Sequence, residues 1–215
     1  MIKAIFFDFD GTISDAMGIG YESMIRAFND FGYEFDKKKL RGLLGKKMPL
    51  IFDGLGLDKK NFDACHKRFY EYFMRAALDG GIKPCVSLKP LWKMKESYPL
   101  VVVSNSETSF LDASIKKLGI KGLFDGVYGS DKFSSKDKLL KKLFREMKIK
   151  PSEAIYIGDT FSDVDFARDA GCIAVAIHNK CAWSSLKEIL KEKPDYVVRD
   201  FYGFKKVIDS LEKGN

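Results

Sequence analysis

Short apolar runs punctuate the chain, and most are too brief for a buried helix. Ile2–Phe9 is apolar apart from Lys3 and Asp8, which predicts a strand covered on both faces. Similar runs follow at Leu100–Val103, Val127–Tyr128, Ala154–Ile157, Ile173–Ile177 and Tyr196–Val198. Between the later runs, apolar residues recur at helical spacing, over about 87–97, 107–118, 135–147, 161–170 and 203–212. Strand alternating with helix predicts an α/β domain, a doubly wound parallel sheet with helices on both faces. Right-handed crossovers then bring the C-terminal strand ends to one edge, where ligand sites of such sheets gather.

Residues 15–80 break the alternation. They contain no convincing strand, and helices are expected at 15–31, 37–44, 48–55 and 59–78, punctuated by Gly32, Gly45 and Gly56. The expected organisation is a core of residues 1–14 and 81–215 with a helical cap subdomain, 15–80, inserted through hinges near Ser14–Ala16 and Gly80–Pro84.

Composition narrows the class. In 215 residues, 46% hydrophobic and 31% charged, a soluble globular chain is expected. No apolar run reaches the roughly 18 residues of a membrane span, and no export signal is visible at the N-terminus. The four cysteines, Cys65, Cys85, Cys172 and Cys181, form no CxxC pair, and only two histidines are present. Reduced thiols in a cytoplasmic protein are expected, and a zinc cluster is not. The net charge of +7 raises the question of nucleic acid. Its excess lies in residues 36–47 and 132–148, neither interleaved with aromatics as a single-strand platform would be. Solvated helix faces are the simpler reading, with attraction of anionic substrates a second one. The sequence leaves oligomeric state open.

Candidate chemistry sits where strands end. In Phe7-Asp8-Phe9-Asp10-Gly11-Thr12, two carboxylates two residues apart share a face of extended chain. Their repulsion calls for a shared proton or a cation. Gly11 permits a turn that aims backbone amides at an anion. In Gly158-Asp159-Thr160-Phe161-Ser162-Asp163, Asp159 ends an apolar strand and Asp163 enters the first turn of a helix. Oxygen ligands from two strand ends suit magnesium. Val103-Ser104-Asn105-Ser106 delivers a hydroxyl and an amide ahead of a helix, suited to a phosphate or simply to capping. Lys136 precedes the strand bearing Asp159 and could bring a cation to the same edge, with Lys132 and Lys138 as competitors.

The order of these four segments resembles the haloacid dehalogenase superfamily, with Phe7–Thr12, Ser104–Asn105, Lys136 and Gly158–Asp163 matching its motifs in turn. The resemblance covers about 1–14 and 80–215. The insertion is similar to the helical cap of type C1, and the chain most resembles phosphoglycolate-phosphatase-like members. It departs at Asp137, where many relatives have proline, and at Ser162, where many have asparagine.

The resemblance implies Mg2+-dependent hydrolysis of a small anionic phosphomonoester, phosphoglycolate the leading guess. Asp8 would be the nucleophile and Asp10 the acid and base. Asp8, the backbone carbonyl of Asp10, and Asp159 would be metal ligands. Lys136, Ser104, Asn105, Gly11 and Thr12 would bind the phosphoryl group. Asp163 would orient Lys136 or a metal-bound water. Arg41, Lys46 and Lys47 are candidates to meet a substrate carboxylate. Asp10 argues against a dehalogenase or phosphonatase. A phosphomutase of the β-phosphoglucomutase type stays open, as does a non-catalytic regulatory or anion-binding or nucleic-acid-binding protein on the same fold.

Overall fold

Alternation along the first strand sorts its side chains between two cores: Ala4 and Phe6 join one, Ile5 and Phe7 the other. A computed structural model describes residues 1–43 and 46–213, the side chains of Lys37 and Arg41 excepted. In chain order the elements are β1 (Ala4–Phe7), β2 (Ser14–Asp15), α1 (Met17–Asp30), α2 (Lys37–Arg41), α3 (Met48–Leu55), α4 (Phe62–Ala76) and β3 (Lys83–Pro84). Then come α5 (Lys89–Lys95), β4 (Leu100–Val103), α6 (Thr108–Lys117), β5 (Gly126–Tyr128), α7 (Lys136–Glu146) and β6 (Ala154–Gly158). The chain continues through α8 (Phe161–Ala170), β7 (Ile173–Ile177), α9 (Leu186–Lys191), β8 (Tyr196–Val198) and α10 (Phe201–Lys213).

Six strands form one parallel sheet in the order β5-β4-β1-β6-β7-β8. The chain leaves β1 for β4 and β5 on one side, then crosses to β6 on the other. The strand order therefore reverses at β1, where a crevice opens at the C-terminal edge. On one face Ile5, Phe7, Val102 and Ile157 pack with α5, α6 and α10; on the other Phe6, Val101, Val103 and Tyr156 pack with α7 and α8. Edge-to-face rings mark both layers: Phe6 on Phe144 at 5.3 Å and Phe7 on Phe204 at 6.3 Å.

The strands and helices fall close to where periodicity predicts them, with three differences. β1 ends at Phe7 rather than Phe9, because the amides of Thr12, Ile13 and Ser14 all turn back to the Phe9 carbonyl. That turn takes the chain out of the sheet just after Asp8. Asp15 belongs to a short antiparallel pairing of β2 with β3, so the two connections to the helical insertion are stitched together. The helix α9 was not anticipated; its local signal is the capping box of Ser185 and Glu188. Between β2 and β3 every regular element among the described residues is helical.

The insertion docks on the core through α4. Phe73 stacks on Phe110 at 3.9 Å, and the Tyr70 hydroxyl accepts from the Glu107 amide at 3.0 Å. Lys47 adds a second contact, donating to the Phe133 carbonyl at 2.7 Å and lying over that ring. The basic segment 132–148 becomes the outer face of α7, where Lys138, Lys141, Lys142 and Arg145 are exposed. Two of them face acids one turn away, Lys141 toward Asp137 and Lys142 toward Glu146, the pattern of a solvated helix face. Among the described residues no helix is long and apolar enough to cross a membrane.

Phe144 is almost fully buried between α7 and the sheet. Phe144→Ala should cost about 3–5 kcal/mol of stability, read as a shift in the midpoint of urea unfolding at unchanged slope.

Candidate active site

The crevice at the reversal point gathers the ends of β1, β4 and β6. Asp8 follows β1, and its amide still bonds the Ile157 carbonyl of the neighbouring strand at 2.9 Å. Ser104 follows β4, and Asp159 follows β6. Lys136 opens α7, and its side chain is buried in the site, whereas Lys132 and Lys138 are exposed. Packing of α7 against the sheet thus selects one lysine from three.

The Lys136 ammonium has three protons and three partners. It donates to Asp8 Oδ1 at 2.8 Å, Asp163 Oδ1 at 2.8 Å and the Tyr156 hydroxyl at 2.9 Å. Burial alone would lower its pKa, but the charges of Asp163 and Asp8 outweigh that and raise it. Asp163 in turn spends both oxygens. Oδ1 takes Lys136 and lies 3.2 Å from the Tyr156 hydroxyl; Oδ2 accepts the Thr160 amide and hydroxyl at 3.0 and 2.6 Å. Asp163 therefore caps α8 and positions Lys136 with the same carboxylate. Gly158 is required beneath it, since a Cβ there would lie 2.4 Å from the Asp163 carboxylate carbon.

Asp159 is fully buried and held by the Thr12 hydroxyl at 3.0 Å and the Trp183 amide at 2.7 Å. Gly11, at φ +84°, backs directly onto it: a Cβ would sit 2.3 Å from Asp159 Oδ2. The motif glycine is thus explained by a positive φ and by close approach. The hydroxyl of Thr12, a residue expected at the phosphoryl group, is directed to Asp159. Asp10 accepts from Ser14 at 2.9 Å and from Ser106 at 2.5 Å.

Among the described residues, Asp8, Asp10, Asp159 and Asp163 are the buried acids and Lys136 the buried cation. Four carboxylates against one ammonium leave three negative charges in excess when all are ionised. Burial, joined at Asp8 and Asp159 by the neighbouring carboxylates, raises the affinities of Asp8, Asp10 and Asp159 for protons. Burial pushes Asp8 up to about 7, against the pull of Lys136 and with Asp163 and Asp10 adding to the rise. Burial, followed by the charges of Asp8 and Asp163, raises Asp159 well above the ordinary carboxylate range. Burial also raises Asp10. Asp8, Asp159 and Asp163 each offer an oxygen within 4.8 Å of the others. Such an all-oxygen, over-charged group fits a hard divalent cation. Asp163 takes the Lys136 ammonium on one oxygen and both Thr160 donors on the other, whereas Asp159 meets one neutral donor on each oxygen, so Asp8 and Asp159 are the side chains best able to bind one.

A cavity opens on this group. Asp8, Asp10, Ser104, Asn105, Ser106, Lys136 and Trp183 line it from the core, and the helical insertion covers it. Lys46 reaches the cavity wall; Lys47 is engaged with Phe133. The side chain of Arg41 lies outside the described residues. Tyr156, Ser106, Ser14 and Trp183 escape sequence reasoning. The signal for Tyr156 is a lone phenol in the aliphatic strand Ala154–Gly158, because a buried tyrosine hydroxyl needs a partner. Ser106 stands two residues past Ser104, a position that reads as an ordinary helix cap.

The fold and site define a doubly wound α/β core with a carboxylate pair where its strand order reverses, and comparison with known proteins places it in a family. The profile of the family described as "Haloacid dehalogenase-like hydrolase" matches residues 5–177. The chain belongs to this family and is an enzyme of the phosphatase type. It is 25% identical to a protein of Caldanaerobacter subterraneus provisionally named pyrophosphatase PpaX, over 99% of this chain and 97% of that protein. It is 27% identical to a phosphoglycolate phosphatase of Synechococcus elongatus, over 82% of this chain and 84% of that one. A solved haloacid dehalogenase-like hydrolase from Streptococcus pneumoniae superposes with a TM-score of 0.80 at 25% identity, covering 98% of each chain.

Tyr156→Phe removes one partner of Lys136 and leaves a buried ammonium proton unmet. The expected cost is about 1–3 kcal/mol in urea unfolding, with a larger fractional fall in kcat than rise in KM, because the fold survives while Lys136 loses its aim.

Proposed function

We propose that the protein is a magnesium-dependent phosphomonoesterase that works through a phospho-aspartate at Asp8. The observation that carries this reading is the pairing of Asp8, held by Lys136 at 2.8 Å, with Asp10, which lies two residues on and is held by Ser14 and Ser106.

In the first step an Asp8 carboxylate oxygen attacks phosphorus, the P–O bond to the alcohol breaks, and Asp10 gives its proton to the departing oxygen. The raised pKa of Asp10 suits it to carry that proton. In the second step Asp10, now a carboxylate, takes a proton from water as the water attacks phosphorus and frees Asp8 with inorganic phosphate. Lys136 holds Asp8 in line and offers its charge to the phosphoryl oxygens, with Ser104 and Asn105 beside it on the cavity wall. Asp8 and Asp159, with the Asp10 backbone carbonyl, would hold the magnesium. When bound, the ion supplies positive charge that offsets carboxylate–phosphate repulsion.

The domain division belongs to the same reading. Residues 15–80 act as a cap over a core of 1–14 and 81–215, closed through Tyr70 and Lys47 and hinged at the β2–β3 pairing. Closure excludes water from the intermediate. The names of the relatives make phosphoglycolate the first substrate to assay, with pyrophosphate beside it. A cytoplasmic setting accords with four buried free cysteines.

Exhaustive chelation should abolish phosphate release, and magnesium should restore it; full activity in chelator would reject the metal assignment. Asp8→Asn should lower kcat by at least about 10³-fold while the thermal melt stays cooperative, measured by phosphate release and circular dichroism.

Asp10→Asn should slow turnover by about 10²–10⁴-fold. The loss should be smallest for aryl phosphates with acidic phenols, which leave without protonation. Equal losses for good and poor leaving groups would remove Asp10 as the acid.

A further inference from the structure

The wall facing the catalytic carboxylates is apolar. Met24 of α1, Met48 and Ile51 of α3, and Phe69 and Phe73 of α4 line it, all buried, with the ring of Tyr70 between them. The Tyr70 hydroxyl is turned to the Glu107 amide. Among the described residues the insertion brings one cation to this wall, Lys46. The other cation of the cavity, Lys136, is committed to Asp8, Asp163 and Tyr156. A two-carbon acid such as glycolate would set its carboxylate beside thioethers and rings, with Lys46 the one cation that the insertion offers it among the described residues. Burying an ion there without partners is costly, whereas burying methylene groups is favourable. The two methionines are flexible enough to fit more than one alkyl or ring shape.

We infer that the alcohol portion of the substrate is apolar and larger than glycolate, an aliphatic chain or a hydrocarbon ring seated on Met24, Met48, Ile51, Phe69 and Phe73. This rests on the phosphomonoesterase reading and sharpens its substrate class. The core binds the phosphate, while the insertion selects the alcohol by burial rather than by charge.

A series of n-alkyl phosphates from ethyl to hexyl tests this with the magnesium-loaded enzyme. Primary alkanols are leaving groups of nearly equal basicity, so the series varies burial alone. The kcat/KM should rise roughly threefold to fourfold per methylene, on the order of 100-fold over the series. Hexyl phosphate should exceed phosphoglycolate by at least about tenfold. Met24→Gln and Met48→Gln, near in shape but polar, should each flatten the slope to under about twofold per methylene, with thermal melts reporting that they are folded. A flat series, or phosphoglycolate turned over better than hexyl phosphate, overturns the inference and leaves the phosphatase reading standing. No phosphate from any member overturns the phosphatase reading. Calorimetry with ethyl- and hexylphosphonate, which cannot be hydrolysed, then decides the inference by itself: tighter binding of the hexyl compound upholds it, and equal binding overturns it.

Discussion

One buried ammonium holds the site together. Lys136 sits between Asp8, Asp163 and Tyr156 with each of its protons used. Placing a charge there carries a desolvation cost that good geometry must offset, and removing any single partner leaves that cost exposed. Three separate parts of the chain must therefore arrive together: the end of β1, the start of α7, and the end of β6 with the first turn of α8. Asp163 ties the last two most closely, because the carboxylate that orients Lys136 also caps α8 through Thr160. Local helix formation and the ionic centre are one arrangement.

The same centre is electrostatically incomplete. Its buried carboxylates outnumber its buried cation; burial raises the pKa values of Asp8, Asp10 and Asp159, and neighbouring carboxylates add to the rise at Asp8 and Asp159, which marks a site that gains from added positive charge. The fold holds this tension with neutral donors: Thr12 and the Trp183 amide on Asp159, Ser14 and Ser106 on Asp10. These donors fix the direction of each oxygen without cancelling its charge. That leaves buried carboxylates and a buried ammonium side by side in one crevice, the arrangement on which the proposed metal-assisted phosphoryl chemistry rests.

Above the crevice the helical insertion supplies a different physics. Its contacts with the core include an aromatic stack, Phe73 on Phe110, and two hydrogen bonds, from the Glu107 amide to Tyr70 and from Lys47 to the Phe133 carbonyl. Its inner wall is largely hydrocarbon. The sheet edge is thus polar, and the cover is apolar and joined by the short β2–β3 pairing. The proposed division of labour, phosphate on the core and alcohol on the insertion, rests on that contrast.

Most of the architecture was legible in the sequence because its causes are local. Runs of four or five apolar residues can only be covered strands here, and the 3.6-residue periods between them can only be helices that cover those strands. Two-residue spacing fixed Asp8 and Asp10 on a common side, and the Gly158–Asp163 segment marked a strand end followed by a helix. What the sequence could not decide lies in contacts between distant segments. Lys136 and Asp8 are 128 residues apart, and only the seating of α7 distinguishes Lys136 from Lys132 and Lys138. Tyr156 was an ordinary strand residue until its hydroxyl met Lys136, and Ser106 was a cap until it met Asp10. Lys46 and Lys47 are neighbours in sequence, yet one reaches the cavity and the other bonds the Phe133 carbonyl. Strand period, turn chemistry and motif spacing are determined within a few residues, so the sequence alone determined which groups stand at the sheet edge. Which of them touch is set by how helices pack on the sheet, so only the tertiary structure decided the partners of each charge.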